Sequence, residues 1–594
     1  MSNEYNPKTY IPWAFLEEYR GKAFKGSWPT LPEMVRITVS RYGPRNCFTV
    51  FEPDRITLTF NEALKTIKAV ARWLASKGIR KNDKVAVTGK NSPEWAVAYF
   101  SIVFAGATIV PIDYNLRNEE VELLIKTAGA KILFIDEEKH SHFAHPAGAA
   151  HPAGAAHPAG TAQNAGGLEE VVSLKNGVGS YIYTLDGPEA AIEEAGEDDL
   201  AAILFTSGTT GHPKGVMLTH KNLVSDCYLA QGTPLHIFHT DVFYAILPIH
   251  HAYAMQAVLL ESMGVGAEVV FGKKMVSAVM LKELKEGKVT MLLGVPMLFN
   301  KLLTGVLRGI KAKGPVVYGI MYFLMKVSGF VKKTFGVNPG KKLFHAVLDK
   351  ASLSTIRICI SGGGPLAPSV FRKFNQLGID FVQGYGLTET SPIININPID
   401  HYKETSVGKV SSQVDMKILD PDEQGIGEVI VKGSMVMKGY YNMPEETAAV
   451  FTPDGYFKTG DLGYLDSENY LYLTGRAKNV IVTEGGKNVF PEEIENEFQL
   501  FDEIDQILVR GFVADAKMKR EGIEALIYPN PELKNETGDR RGQPFSQAEL
   551  KAKMDNIVSE VNQRLLPYQK IDKIVILDKP MEMSSTKKIK RFTV

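Results

Sequence analysis

Residues 204–220 read LFTSGTTGHPKGVMLTH, an apolar run that gives way to Thr206, Ser207, Gly208, Thr209, Thr210 and Gly211, then Pro213, Lys214 and Gly215. Between the run and Lys214 there is nothing apolar to bury. There are small hydroxyls and glycines, which let successive backbone N–H groups turn towards one point, and an ammonium beside them. That is a concave donor surface suited to a polyphosphate. It is not the Walker arrangement, because Lys214 is followed by Gly215 where that pattern needs Ser or Thr. Clusters of Gly, Ser and Thr are also ordinary surface loops. The residues downstream decide for the phosphate.

The run IRICI at 356–360 ends in Ser361, Gly362, Gly363, Gly364 and Pro365, and FVQGY at 381–385 continues into GYGLTETSP, 384–392. Two such strand ends are where an open α/β sheet places its ligand. Gly384 and Gly386 flank Tyr385, so a flat base can approach the backbone and the ring can stack on it. Glu389 is an acceptor-only group, and a hard oxygen beside a phosphate is what magnesium needs. The same residues would serve a helix start, with Thr388 as cap and Glu389 favouring the dipole. In YFKTGDLGYLD, 456–466, Asp461 sits in a tight turn where its carboxylate can accept both hydroxyls of a ribose, although Asp in turns commonly bonds its own backbone.

His250 and His251 close the apolar strand of AILPIHHAY, 245–253, and either orient a ligand at a pocket mouth or are satisfied core histidines. In LTGRAKNVIVTEGGKNVFPEEIE, 473–495, Arg476 and Lys478 precede a strand, then come Gly485 and Gly486, then a helix starting near Pro491. A short charged connection can absorb a hinge's φ/ψ change, and a glycine pair admits a narrow ligand arm. We place a domain boundary at Lys478. The terminus, MSSTKKIKRFTV, reads either as a solvated tail or as part of a mobile cap that sets Lys588 over a reacting phosphate.

The elements that must hold these residues alternate. Apolar residues recur at helical spacing over 60–74, strands follow at 84–87, 107–112 and 130–135, and helices at 94–104 and 121–127 lie between them. Such alternation implies parallel sheets covered on both faces. Beyond 410, short segments such as EVIVK, 428–432, imply an antiparallel β-subdomain, and 479–594 mixes strands and helices. The expected fold class is α/β: a large N-terminal domain of stacked α/β sheets plus a β-subdomain, 1–477, with a small mobile α+β C-terminal domain, 478–594. A length of 594 residues exceeds what one core usually serves.

Lys+Arg and Asp+Glu are both 67, which leaves no global field for a nucleic acid. Cys47, Cys227 and Cys359 are far apart, which argues against a disulfide framework or zinc site and fits a reducing compartment. The first residues carry no apolar core of a secretory signal, so a cytoplasmic location is expected. Two segments stand apart. Within 142–167, HPAGAA recurs at a period of six and puts His145, His151 and His157 in register; Pro and Gly hold no ligand geometry, so a flexible insert is expected, not a metal site. PVVYGIMYFLMKVSGFV, 315–331, is the most apolar stretch, too short and interrupted for a confident span, and lysines flank it across 311–342. It reads as a peripheral contact with an anionic membrane face, or as a partly buried helix or hairpin near the substrate pocket.

TSGTTGHPKG, GYGLTETSP, YFKTGDLG and GRAKNVIVTEGGKNVFPEEIE, in that order, resemble the adenylate-forming superfamily of acyl- and aryl-CoA synthetases, luciferases and peptide-synthetase adenylation domains. The resemblance covers nearly the whole chain outside 142–167. LPIHHAYA, KNVFPEEIE, the stretch at 311–342 and the KKIKR terminus look most like long-chain fatty-acid–CoA ligases. The resemblance implies ATP, Mg2+ and coenzyme A acting on a fatty or other carboxylic acid through an acyl-AMP. It implies a phosphate-binding loop at Thr206, Ser207, Gly208, Thr209, Thr210, Gly211 and Lys214. Adenine contacts fall at Gly362, Gly363, Gly364, Pro365, Gly384, Tyr385 and Gly386, and ribose contacts at Asp461 and Arg476. Thr388 matches the α-phosphate contact, Glu389 the magnesium ligand and His251 the group beside the substrate carboxylate. Lys478 matches the hinge, and Gly485 and Gly486 would line the pantetheine tunnel. Lys588 matches the catalytic lysine, although Lys587 stands where glycine is common and both registers stay open. The alternatives are a carrier-protein acceptor, an aryl or short-chain acid, and a non-catalytic nucleotide- or lipid-binding protein on the same fold.

Overall fold

A computed structural model of the chain describes residues 11–144, 167–189, 191–206, 213–232, 235–273, 275, 278–482, 487–515, 520–534, 545–583, 589 and 591. Helices start where the sequence supplies caps. Thr59 Oγ1 accepts from Glu62 N–H at 3.2 Å and Glu62 Oε2 accepts from Thr59 N–H at 2.8 Å, which closes the first turn of Phe60–Ser76. Ser92 Oγ accepts from Trp95 N–H at 3.1 Å and opens the almost wholly buried helix Pro93–Phe104.

One sheet has seven strands, in the order Gly439–Tyr440, Lys214–Thr219, Leu200–Thr206, Thr108–Ile112, Lys84–Thr88, Ala130–Ile135 and Glu170–Ser173. From Leu200–Thr206 onward neighbours run parallel, as buried apolar strands joined by helices should. The other sheet has thirteen strands. Its parallel half runs through Asp380–Tyr385, Ile358–Ser361, Met291–Gly294, Val242–Ala245, Glu268–Phe271 and Asn46–Val50. Its antiparallel half is the expected β-subdomain, but it is hydrogen-bonded into the same sheet. Strand Asp380–Tyr385 makes the join: residues 380–383 pair parallel with Ile358–Ser361, while Gly384 and Tyr385 pair antiparallel with Ile396 and Asn395. The change of direction falls at the carboxyl end of the strand, where sheets of this class open a crevice.

Most apolar side chains of the two large sheets merge into one main buried core. A separate core of Val489, Ile494, Phe498, Val509, Ile523, Ala525, Ile527, Met554, Val558 and Val561 is enclosed by a three-stranded sheet and the helices Pro491–Asn496 and Gln547–Asn562. No helix among the described residues is long and apolar enough to cross a membrane. The stretch at 315–331 is part of one helix, Pro315–Phe335.

Four local expectations change. The strand before His250 and His251 ends at Ala245, so both histidines lie in the turn that follows. Pro248 has no N–H for a ladder, and Asn91 takes over the backbone there: Nδ2 donates to Ala245 O and Leu247 O at 2.9 and 2.8 Å, and Oδ1 accepts from Ile249 N–H at 3.0 Å. Asp461 lies inside strand Phe457–Leu465, not in a turn, because the strand pairs it with Arg476; Gly460, at φ +72°, supplies the local irregularity. Thr388 caps no helix; it opens the three-residue 3-10 turn Thr388–Thr390, after Leu387. Finally, His142 belongs to helix Glu137–Ala144 and meets Glu122 Oε1 at 2.7 Å, while His145, His151 and His157 lie outside the described residues.

Candidate active site

Strands Leu200–Thr206 and Lys214–Thr219 are an antiparallel pair that sets Thr206 opposite Lys214. Ser207, Gly208, Thr209, Thr210 and Gly211, which connect them, lie outside the described residues. Gly439–Tyr440 pairs along the outer edge of Lys214–Thr219 and brings the Tyr440 ring to 4.9 Å from Lys214 Nζ. The Tyr440 hydroxyl donates to Glu389 Oε1 at 3.0 Å. Burial first, and then the Glu389 carboxylate, push the phenol up, so it remains a donor. Glu389 O accepts from Met437 N–H at 2.8 Å, which fixes the backbone under the carboxylate. One tyrosine thus meets a cation through its ring and a carboxylate through its hydroxyl.

A second cluster forms at the switch in sheet direction. Tyr385 donates to Asp461 Oδ2 at 2.6 Å, and Arg476 Nε donates to Oδ1 at 2.9 Å. Asp461 is 6% exposed, and each of its oxygens keeps a lone pair for a diol. Burial and then the Asp461 carboxylate hold Tyr385 well above the ordinary phenol value. Next to it a Cβ on Gly386 would lie 1.3 Å from Pro392 O, so no side chain fits. Across the strand, Gly363 has φ +76°, and a Cβ on Gly362 would meet the Tyr253 ring at 2.9 Å.

In the turn after Val242–Ala245, His250 Nε2 lies 3.3 Å from Asp113 Oδ1 and 3.2 Å from His251 Nε2. The ligating atoms of Asp113, His250 and His251 lie within 4.8 Å of one another, a set that could hold a divalent cation. His250 is buried and His251 half-buried, on the cleft wall.

Thr206, Lys214, His251, Gly362, Gly363, Gly364, Pro365, Gly384, Tyr385, Gly386, Thr388, Glu389, Asp461, Arg476 and Lys478 all line one cleft of about 1960 Å³. The part of the chain that carries the small core lines it as well. Met583, Ile589 and Arg591 line it, and Met583 pairs with Ile589 in an antiparallel bridge. Lys587 and Lys588, between those partners, lie outside the described residues, as do Gly485 and Gly486. Arg591 donates to both oxygens of Glu495, at 2.6 and 2.7 Å, and burial pushes that carboxyl up to about 7 against the pull of the guanidinium. Gln499 grips the segment after the glycine triplet: Nε2 donates to Pro365 O and Oε1 accepts from Ala367 N–H, both at 2.9 Å.

Tyr440, Asp113, Asn91 and Gln499 escape sequence reasoning. Asp113 directly follows strand Thr108–Ile112, so the strand-end logic applied to the histidines would have found it. For Tyr440, in MKGYYN, no spacing distinguishes a site tyrosine from a core one.

Residues 36–441 match the family described as AMP-binding enzyme, well over half of the chain. The chain belongs to the AMP-binding enzyme family. Among relatives of this AMP-binding enzyme, the long-chain-fatty-acid–CoA ligase FadD15 of Mycobacterium bovis is 30% identical over 562 residues, 90% of either chain. A feruloyl-CoA synthase of an Amycolatopsis species is 27% identical over 516 residues, 85% of this chain and 88% of its own. Among solved structures, the ATP-bound RpMatB-BxBclM chimera B1 is similar with a TM-score of 0.73 and 25% identity, over 95% of this chain and 97% of that one. The fold class and the superfamily implied by the four motifs are those of this adenylate-forming group. The family match ends at 441, so Asp461, Arg476 and Lys478 rest on the cleft geometry.

Proposed function

We propose that the enzyme joins a fatty acid of medium or long chain to AMP, releasing pyrophosphate, and then passes the acyl group to the thiol of coenzyme A. The observation that carries this reading is the convergence of Lys214, the Tyr440–Glu389 pair and the Tyr385–Asp461–Arg476 cluster on one cleft. A carboxylate is a poor electrophile because its leaving group would be oxide. Attack of its oxygen on the α-phosphorus of ATP exchanges that for AMP, a far better leaving group. Both reactants are anions, so the work of the site is electrostatic. In this reading Asp461 and Arg476 hold the ribose, the glycines around Tyr385 and after Ser361 admit the adenine, and Lys214 with Thr388 and the 206–211 loop takes the phosphates. His251 lies beside the acid, and Lys588 offsets charge at the α-phosphate.

Glu389 fits magnesium: Tyr440 holds Oε1, and Oε2 has no hydrogen-bond partner among the described residues. When bound, the ion would offset triphosphate charge, with phosphate oxygens and water completing its hard-oxygen set. Leu235, Phe243, Leu247, Leu293, Val295 and Met297 give the cleft an apolar wing for the tail. Glu261 also lines it, and burial holds that carboxyl well above the carboxylate range, which favours its uncharged form beside hydrocarbon. The long-chain and feruloyl activities named for the two relatives share an apolar acyl body. Residues from Lys478 onward act as a mobile domain in this scheme. Rotation there withdraws Lys588 and brings Gly485 and Gly486 to the path of the thiol.

ATP–pyrophosphate exchange across acids from acetate to oleate, with ferulate, with and without coenzyme A, tests the reading. Exchange is expected with fatty acids, and thioester once coenzyme A is present. Lys588→Ala should cost about 10²–10³ in adenylate formation and spare thioester formation from supplied acyl-AMP. Absence of exchange with every acid overturns the proposal.

A further inference from the structure

A surface helix normally carries one apolar stripe, turned to the core. Helix Pro315–Phe335 carries two. Tyr318, Met321, Met325, Ser328 and Lys332 turn inward, where the helix packs on Pro296–Lys311 and Pro368–Gln376. On the opposite face Val316, Ile320, Phe323, Val327 and Phe330 recur at steps of four and three, and they are 73, 55, 65, 42 and 65% exposed. Phe335, Val337 and Leu343 extend the patch. Of the seventeen large apolar side chains that are exposed among the described residues, ten lie between 316 and 343.

Charge frames the patch. From 309 to 348 there is no Asp or Glu and there are seven lysines, in a chain whose charges balance overall. Lys332 is buried on Asp380 Oδ1 and Asn375 Oδ1, each at 2.6 Å, and Lys341 is half-buried on Ile356 O. The other five, Lys311, Lys313, Lys326, Lys333 and Lys342, are exposed.

We propose that this face docks on an anionic lipid bilayer, with the helix lying in the plane of the headgroups. Its outer stripe then leaves water for the acyl boundary, while the lysines extend to lipid phosphates. A second copy of the chain fits less well, because face-to-face pairing would press together two lysine rims that hold no acid. The docked face adjoins the cleft: Met297, Lys301, Thr304 and Arg308 of helix Pro296–Lys311 line it, and Lys311, where the basic rim starts, ends the same helix. Docking stands apart from the proposed function. Only the corollary, that an apolar-tailed acid enters from the lipid, rests on it.

Flotation of the full-length protein with phosphatidylcholine vesicles, with and without phosphatidylglycerol, tests the docking and needs no substrate. The mixed vesicles should carry at least about tenfold more protein than phosphatidylcholine alone, and added salt should lower that excess. The triple variant Ile320→Ser/Phe323→Ser/Phe330→Ser should lose about tenfold or more of the binding with its melting temperature kept. Lys311→Gln/Lys326→Gln/Lys333→Gln should erase the preference for anionic lipid. Failure to float, or flotation indifferent to both variants, overturns the proposal. So does light scattering that finds a dimer which the triple serine variant splits.

Discussion

Tyr440 touches Lys214 through its ring and Glu389 through its hydroxyl, and the two contacts can be separated. Tyr440→Phe keeps the face that meets the ammonium and removes the donor to Glu389 Oε1. The apparent KM for Mg2+ in pyrophosphate release should rise about tenfold, the loss typical when a partner of a metal-binding carboxylate is removed. The KM for the acid should stay nearly constant, and stability should fall by about 1 kcal/mol. An unchanged Mg2+ dependence would place the metal elsewhere. Lys214 and Glu389 were readable as candidates because residue type and neighbours already carry the chemistry. Tyr440 was not, because its partner lies 51 positions away and only the sheet edge brings them together.

Elements explain both what could be foreseen and what could not. Strand Ala130–Ile135 and helix Phe60–Ser76 follow from periodicity and caps that lie within a few residues of each other. The place of Asp461 depends on strand Tyr470–Arg476, and a Thr-Gly-Asp sequence looks the same in a turn as in a kinked strand. The join of the antiparallel strands to the parallel half likewise depends on pairings that no local pattern encodes. At this scale Gln499 is the testable piece, since it fastens the second core to residues 365–367 while Met583 and Ile589 line the cleft. Gln499→Ala should lower ATP–pyrophosphate exchange several-fold, about what two lost hydrogen bonds supply, and leave thioester formation from supplied acyl-AMP intact. Lys478→Pro, which stiffens the connection, should do the reverse. Equal loss of both half-reactions in both variants would rule out a two-position domain.

Across the whole molecule, His220 joins two distant parts of the chain. Its Nδ1 accepts from Leu31 N–H at 3.2 Å, and burial lowers its pKa to about 4 from 6.5. Between those values the unfolded chain binds a proton that the folded one refuses. The stability from this group is therefore complete above 6.5 and is lost as pH falls towards about 4, a swing of ~3 kcal/mol. His220→Asn, whose Oδ1 can accept from Leu31, should flatten that part of the profile in urea titrations followed by tryptophan fluorescence; parallel curves would assign the acid sensitivity to other groups. An α/β class was readable from the alternation of strands and helices, whereas this contact spans 189 positions and leaves no trace in that pattern. The ion pair of Lys332 with Asp380 spans fewer positions but ties a surface helix to the large sheet. Asp380 begins the strand whose sixth residue is Tyr385, so the helix proposed to face lipid and the tyrosine proposed to meet the nucleotide are tied to opposite ends of one strand ~17 Å long. Breaking a buried charge pair is costly, and the helix therefore cannot swing like a tether. An enzyme docked as proposed would hold its cleft at one height and one tilt above the lipid, and the proposed rotation would fall to the residues from Lys478 onward.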